Sequence, residues 1–400
     1  MLQLDSRMYR RSKRKRKKQV RNLVILCIVA LIATYFLWPT NAKISNSKST
    51  GSNTKNTTTT TVAADIQATN MPISLAVDVS REAVVYDQSL SPDTIILAGG
   101  LFSSGTTTVN VASVNLVTGA EVLLGSLSQP VHDTTAQILG NSLYVLGGGA
   151  STVIGSVQAA TFNGLGQNSM TFAVASTLPQ PRADLTSVVH DGQIYVLDGY
   201  DGSSMDGEIL STYNGTTFTD AGSLAVPIRY GAVVATANAI YIFGGINQSG
   251  QYVTSIQKYS FIKRTTSIVG NLPVGLAGAS AGLLNNNIYI AGGQDTTGTL
   301  ASIFEFNRID DKIGNAGTLP VPEAYSGYIV ANSVSATGTP ATGTSTVNTS
   351  PVGTSKNGSS ATSTGALGAS ALYIVGGENN GKLTNNIQEL IPNSKIGYVS

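Results

Sequence analysis

Chemistry needs side chains that move a proton, hold a charge or ligate a metal, and this chain of 400 residues is sparing with them. It carries two histidines, His132 and His190, and one cysteine, Cys27. Two isolated histidines do not make a zinc site, and Asp201, Asp206 and Glu208 lack the alternate-position spacing of a calcium loop. No catalytic residue, metal ligand or cofactor is therefore assigned. What remains is guanidinium, phenol and carboxylate: Arg182, the pair Arg229 and Tyr230, and Glu323 two residues before Tyr325. Arginine offers a planar fork to an anion, tyrosine a face on which a sugar ring stacks, and glutamate an acceptor for hydroxyls. Brought together, these five would bind an anionic or sugar ligand; held apart, they would steady neighbouring turns.

The elements that must position them are written six times. Apolar runs, usually containing a tyrosine, stop on a glycine pair or its near equivalent: TIILAGG, LYVLGGG, IYVLDGY, IYIFGGI, IYIAGGQ and LYIVGGE. The repeat glycines are Gly99 and Gly100, Gly147 and Gly148, Gly199 alone, Gly244 and Gly245, Gly292 and Gly293, and Gly376 and Gly377. Asp198 stands where the third unit lacks its first glycine. The second glycines are spaced by 48, 51, 46, 48 and 84 residues. A period of roughly 40 to 50 residues with strand chemistry throughout predicts an all-β, six-bladed β-propeller, the last unit carrying an insertion of about 36 residues. Within a unit the order is a Leu-Pro-like turn, an apolar strand, a polar turn, the glycine strand, a loop and two further strands. The central strands are expected to be apolar on both faces because each blade is sandwiched between two others.

This pattern resembles the kelch repeat, whose signature is a double glycine after an apolar strand, then a spaced tyrosine and a tryptophan. The resemblance covers residues 66–400. Phe162, Tyr213, Tyr259 and Phe306 stand at the tyrosine position. The tryptophan is missing from every unit, Trp38 being the only one in the chain, and Phe172 and Phe218 stand in for it in two units. The resemblance implies that the turns entering the first strand and the loops after the glycine strand share one face around a central channel. That face would gather Asp78, His132, Asp133, Arg182, Asp184, Tyr200, Asp201, Arg229, Tyr230, Glu323 and Tyr325. It further implies a non-catalytic module binding a protein or glycan. A carbohydrate-active enzyme of epimerase or lyase type, with its site on the channel face, and an envelope assembly scaffold are the alternatives. The cross-linked Tyr-Cys copper site of a kelch-fold oxidase is excluded, because no cysteine lies within the repeats.

Ahead of the repeats the composition changes. Residues 1–22 hold ten basic side chains and one acid, so the overall charge of +2 hides a net −7 on the remainder. An acidic folded part argues against nucleic-acid binding. Residues 23–38, LVILCIVALIATYFLW, are uncharged; helical, they reach about 24 Å, enough to span with tyrosine, tryptophan and arginine at the interfaces. The expected organisation is a basic cytoplasmic tail over 1–22, a transmembrane signal anchor over 23–39 and a Ser/Thr-rich linker over 40–61. The propeller then fills 62–400, interrupted by a disordered insertion over 333–370. Positive charge inside places the propeller outside the cytoplasm, at the cell membrane, or secreted if the segment is a cleaved signal. Residues 393–400, NSKIGYVS, resemble the start of an outer strand in the preceding unit and are expected to close the last blade, with the segment around Ile66 packed beside it.

Overall fold

An apolar strand ending on glycine cannot stop at one hairpin, because both of its faces need cover. The computed structural model, which describes residues 66–334 and 369–393, meets that need with six four-stranded antiparallel sheets. From the inner strand outward, blade 1 runs Ala83–Tyr86, Thr94–Ala98, Asn110–Asn115 and Glu121–Ser126. Blade 2 runs Thr135–Leu139, Ser142–Leu146, Ser156–Thr161 and Ala173–Thr177; blade 3 runs Thr186–His190, Gln193–Leu197, Glu208–Thr212 and Thr219–Ser223. Blade 4 is Ala232–Ala235, Ala239–Phe243, Ser255–Ser260 and Thr265–Asn271; blade 5 is Ser280–Leu284, Asn287–Ala291, Ser302–Asn307 and Lys312–Thr318. The glycine strand is thus always second, and in blade 4 all five of its residues are buried.

Blade 6 corrects one expectation. Its first three strands are Gly327–Asn332, Ser370–Val375 and Asn386–Pro392, but the outer place is taken by Ile66–Ser74. Ile66 pairs with Pro392 and Asn70 with Gln388, antiparallel. The physical reason is apolar matching. Ile66, Met71 and Leu75 are buried in this arrangement, and Ile66 packs with Leu284, Leu372 and Leu390 between blades 5 and 6. Residues 394–400, which carried the expected closing strand, lie outside the described residues. So do the tail, anchor and linker of residues 1–61, and most of the insertion.

Six separate apolar clusters hold the ring, one at each blade junction. Of the aromatics at the tyrosine position, Phe162, Tyr259 and Phe306 are buried in these clusters. Tyr213 is not; it is 71% exposed. Ile240 pairs with Tyr259 and Ile288 with Phe306, whereas the equivalent Ile194 pairs with Thr212. Tyr213 therefore comes one residue late and points to the other side, as the two-residue period of a strand requires. Phe172 joins the junction of blades 1 and 2, and Phe218 packs against that of blades 2 and 3.

Three buried glutamines add polar stitching. Gln158, Gln257 and Gln388 each accept from a backbone N–H and donate to the C=O of the same residue, respectively Gln129, Val226 and Val321. Each thereby ties the third strand of its blade to the segment arriving from the previous one.

Candidate functional site

The glycine pairs explain themselves at the blade junctions. In blades 1, 2, 4, 5 and 6 the first glycine has φ between 57° and 68°, and a Cβ there would lie 2.2–2.6 Å from a backbone oxygen of the next blade. That oxygen belongs to Val131, Arg182, Leu276, Glu323 or Val79. The second glycine donates its N–H to the same carbonyl at 2.8–2.9 Å. In blade 3 the place of the first glycine is filled by Asp198 at φ 52°, a conformation aspartate tolerates. Its buried carboxylate accepts from the N–H and hydroxyl of Thr186 and from the N–H of Gly231.

Two residues beyond each accepting carbonyl the chain turns into the inner strand, and here the six blades meet. Arg81, Asp133, Asp184, Tyr230, Gly278 and Tyr325 all adopt left-handed backbone, with φ from 52° to 64°. Each donates its N–H to the carbonyl of the one before: Asp133 to Arg81, Asp184 to Asp133, Tyr230 to Asp184, Gly278 to Tyr230, Tyr325 to Gly278, and Arg81 to Tyr325. The distances are 2.8–3.0 Å. A closed circle of six hydrogen bonds thus rims the channel mouth. Five of its members are not glycine, so each carries roughly 1–2 kcal/mol of backbone cost that the ring offsets.

The side chains of this circle form one network. Arg81 Nε donates to Glu378 Oε1 at 2.9 Å, and its Nη1 lies 3.4 Å from both Asp133 Oδ2 and the Tyr230 hydroxyl. Tyr230 donates to Asp133 Oδ1 at 3.0 Å and meets Tyr325 edge-on at 4.8 Å. Arg229 Nη1 donates to Asp184 Oδ2 at 3.0 Å, and its guanidinium lies over the rings of Tyr200 and Tyr230 at 5.2 and 5.5 Å. Burial, reinforced by the neighbouring Asp133, pushes the Asp184 carboxyl up to about 7. Burial raises Asp133 as well, against the pull of Arg81. His132, whose Nδ1 sits 2.9 Å from the Thr107 hydroxyl, is lowered by burial and by Arg81. Beneath the rim a cavity of about 450 Å³ runs between the inner strands, bordered by Glu82, Thr135, Gln137, Ser187 and Tyr328. The Tyr328 hydroxyl crosses it from blade 6 to accept from the Val233 N–H of blade 4 at 3.0 Å.

Of the five residues singled out in the sequence, the structure gathers Arg229, Tyr230 and Tyr325 at the mouth. Arg182 and Glu323 go elsewhere. They occupy the accepting-carbonyl position, with side chains turned into the blade junctions. Arg182 is fully buried, 2.5 Å from Asp206 and bonded to the carbonyls of Asp198 and Glu208. Glu323 is 2% exposed and accepts from Thr384 and Asn386; burial pushes it up to about 7. Arg81, Glu82 and Glu378 escaped the sequence reading, which took Asp78 from this unit instead. The second glycine follows the rim residue by 15 positions in blades 2 to 5, but by 19 in blade 1. A longer turn, residues 87–93, accounts for the difference. Aligning inner strands instead of counting from the glycines would have put Arg81 in its column. Among the described residues, no three His, Cys, Asp or Glu side chains assemble as metal ligands.

No protein-family model matches the chain. A stretch of 134 residues is 28% identical to kelch repeat and BTB domain-containing protein 1 of horsepox virus, and 29% identical to the protein of that name from camelpox virus (strain CMS). The match covers 32% of this chain and 23% of each relative, so the chain spans less than a quarter of their length. The solved structure of YjhT superposes with a TM-score of 0.60 at 17% identity, over 82% of this chain and 98% of that one; at such identity the likeness is one of fold. With the glycine pairs, the junction clusters and the rim in view, the described residues form a six-bladed β-propeller that is similar, over about a third of the chain, to kelch-repeat proteins.

Proposed function

We propose that the chain is a membrane-anchored, extracytoplasmic binding module whose channel mouth engages a protein or glycan partner without catalysing a reaction. The observation that carries this reading is Arg229. Its side chain is 32% exposed, it spans the rings of Tyr200 and Tyr230, and its buried Nε has no hydrogen-bond partner. The Nε is sealed from solvent, so it is the exposed part of the guanidinium, beside two phenols, that can meet an incoming carboxylate or carbonyl. The surrounding carboxylates are already paired to arginine, which makes the mouth a rigid surface for recognition. The anchor and the extracytoplasmic location rest on the basic block of residues 1–22 and the apolar run that follows it.

Asp184 favours a second reading. A carboxyl near 7 beside Asp133 suits proton transfer to a bound sugar, as an epimerase or lyase requires. One experiment separates the two. The soluble propeller, residues 62–400, is applied to a glycan array and to surface proteins cross-linked on intact cells, beside Arg229→Ala and Asp184→Asn. Binding lost with Arg229→Ala, with every bound glycan recovered unchanged, is the expected result. Turnover that vanishes in Asp184→Asn would establish the enzyme, and a partner indifferent to Arg229 would sink the mouth as the binding site.

A further inference from the structure

The face opposite the mouth carries the turns between third and outer strands. In blades 1, 4 and 5 these are four-residue turns of one design, residues 116–119, 261–264 and 308–311. Each closes on a left-handed residue, Gly119, Arg264 or Asp311, with φ of 71°, 53° and 54°. The second position of each is apolar and in solvent: Val117 is 58% exposed, Ile262 86% and Ile309 89%. Nothing in the turn geometry asks for a branched aliphatic there. Single exposed aliphatics are ordinary, but three at one repeat position on the same face form a set. Blades 4 and 5 are neighbours, and blade 6 alone separates them from blade 1. Blades 4, 5, 6 and 1 form an unbroken arc, and blade 6 within it is where the chain joins the ring. The register fixes the side from which it arrives. Ile66 lies opposite Pro392, at the end of the third strand where the other blades place these turns.

The sequence before Ile66 holds the apolar run 23–38, joined by the 27 residues 39–65. A Ser/Thr-rich tether of that length has a root-mean-square span of about 30 Å. On the membrane-anchored reading, with 23–38 in a bilayer and 39–65 as its linker, that bilayer would be at high effective concentration near the point where the chain joins the ring. The blade 4 and 5 tips carry Lys263, Arg264 and Arg308, while Lys312 pairs with Asp310 at 3.2 Å; Asp311 and, in the blade 1 turn 87–93, Asp87 and Asp93 are acids on this arc. Arg264 and Arg308 are braced by neutral acceptors, the carbonyls of Asp220 and Asn286.

We propose that this face docks on a lipid surface with anionic headgroups. Ile262 and Ile309 enter the headgroup and acyl boundary, Val117 completes the arc, Lys263 and Arg308 meet phosphates, and the channel mouth points away from the bilayer. The choice of occupant rests on the membrane-anchored reading given above. Isoleucine at a turn tip with a basic residue beside it, Lys263 after Ile262 and Arg308 before Ile309, is how an interfacial element embeds without spanning.

The test uses the full chain reconstituted in phosphatidylcholine and phosphatidylglycerol vesicles. A Trp38→Phe background removes the native indole, and Ile262→Trp, Ile309→Trp or, on the mouth face, Phe102→Trp supplies a single reporter. Brominated acyl chains should extinguish most of the emission from the two tip reporters and little from the control. Unquenched tips in protein that still floats with the vesicles would overturn the docking and leave the anchor intact. Failure both to float and to quench would overturn docking and anchoring together, while quenching without retention after alkaline washing would support the docking alone.

Discussion

At the scale of single residues, two arginines separate function from fold. Arg182 and Arg229 follow the same Leu-Pro-like turn, yet one is sealed in a junction and the other faces solvent. Arg182→Ala strips the counter-charge from Asp206 and leaves the carbonyls of Asp198 and Glu208 without their donor. Breaking such a buried pair costs about 3–5 kcal/mol, to be seen as a lower denaturation midpoint with ligand binding by the remaining folded protein unchanged. Arg229→Ala should abolish ligand binding and lower the midpoint less, because Asp184, left without its partner, can take up a proton. Carboxyls supply a second expectation. Glu82 is pushed up to about 8 by burial and Glu323 to about 7, as is Asp184. An acid whose pKa is higher folded than unfolded, where it is about 4, binds its proton more tightly in the native state. Its stabilisation is complete below about pH 4 and is lost as pH climbs through the folded value. Urea midpoints should therefore fall between pH 5 and pH 8, and Glu323→Gln, which fixes a neutral side chain, should flatten part of that slope. A midpoint rising over this range would contradict the burial of these acids.

At the scale of elements, the glycine strand governs the architecture. Gly292→Ala forces a left-handed alanine whose Cβ falls 2.2 Å from the Glu323 carbonyl, so the blade 5 to blade 6 junction must part. Destabilisation of at least 2 kcal/mol is expected from overpacking plus backbone strain, measured against Gly314→Ala, where a Cβ meets nothing within 4 Å. These strands were legible in the sequence because period, apolarity and glycine all agreed. The site was half legible. Arg229, Tyr230 and Tyr325 stand out as types, but only the ring register shows that rim residues and accepting carbonyls sit two apart, with side chains sent to opposite destinations. Arg182 and Glu323 were misplaced by those two positions, Tyr213 by one. Such offsets are invisible until a strand is paired, since one residue of slip reverses every side chain.

At the scale of the whole molecule, closure depends on Ile66–Ser74. Without residues 62–74 the third strand of blade 6 becomes an open edge and Leu390 loses its cover. A chain starting at residue 75 is expected to aggregate or to melt well below the full propeller, and equal melting of the two in calorimetry would refute closure by this strand. The same pairing has a temporal side. The Thr69 hydroxyl reaches the Glu389 carbonyl across 320 residues of sequence, so among the described residues the first strand synthesised is the last to find its partner. At 5–20 residues per second the wait is roughly 15–60 s. Over that wait blades 1 to 5 are completed in turn with the flank of blade 1 bare, and an unpaired strand is available to any neighbouring chain. The propeller is therefore most vulnerable to misassembly during its own synthesis, and a slow ribosome should harm it more than a warm bath.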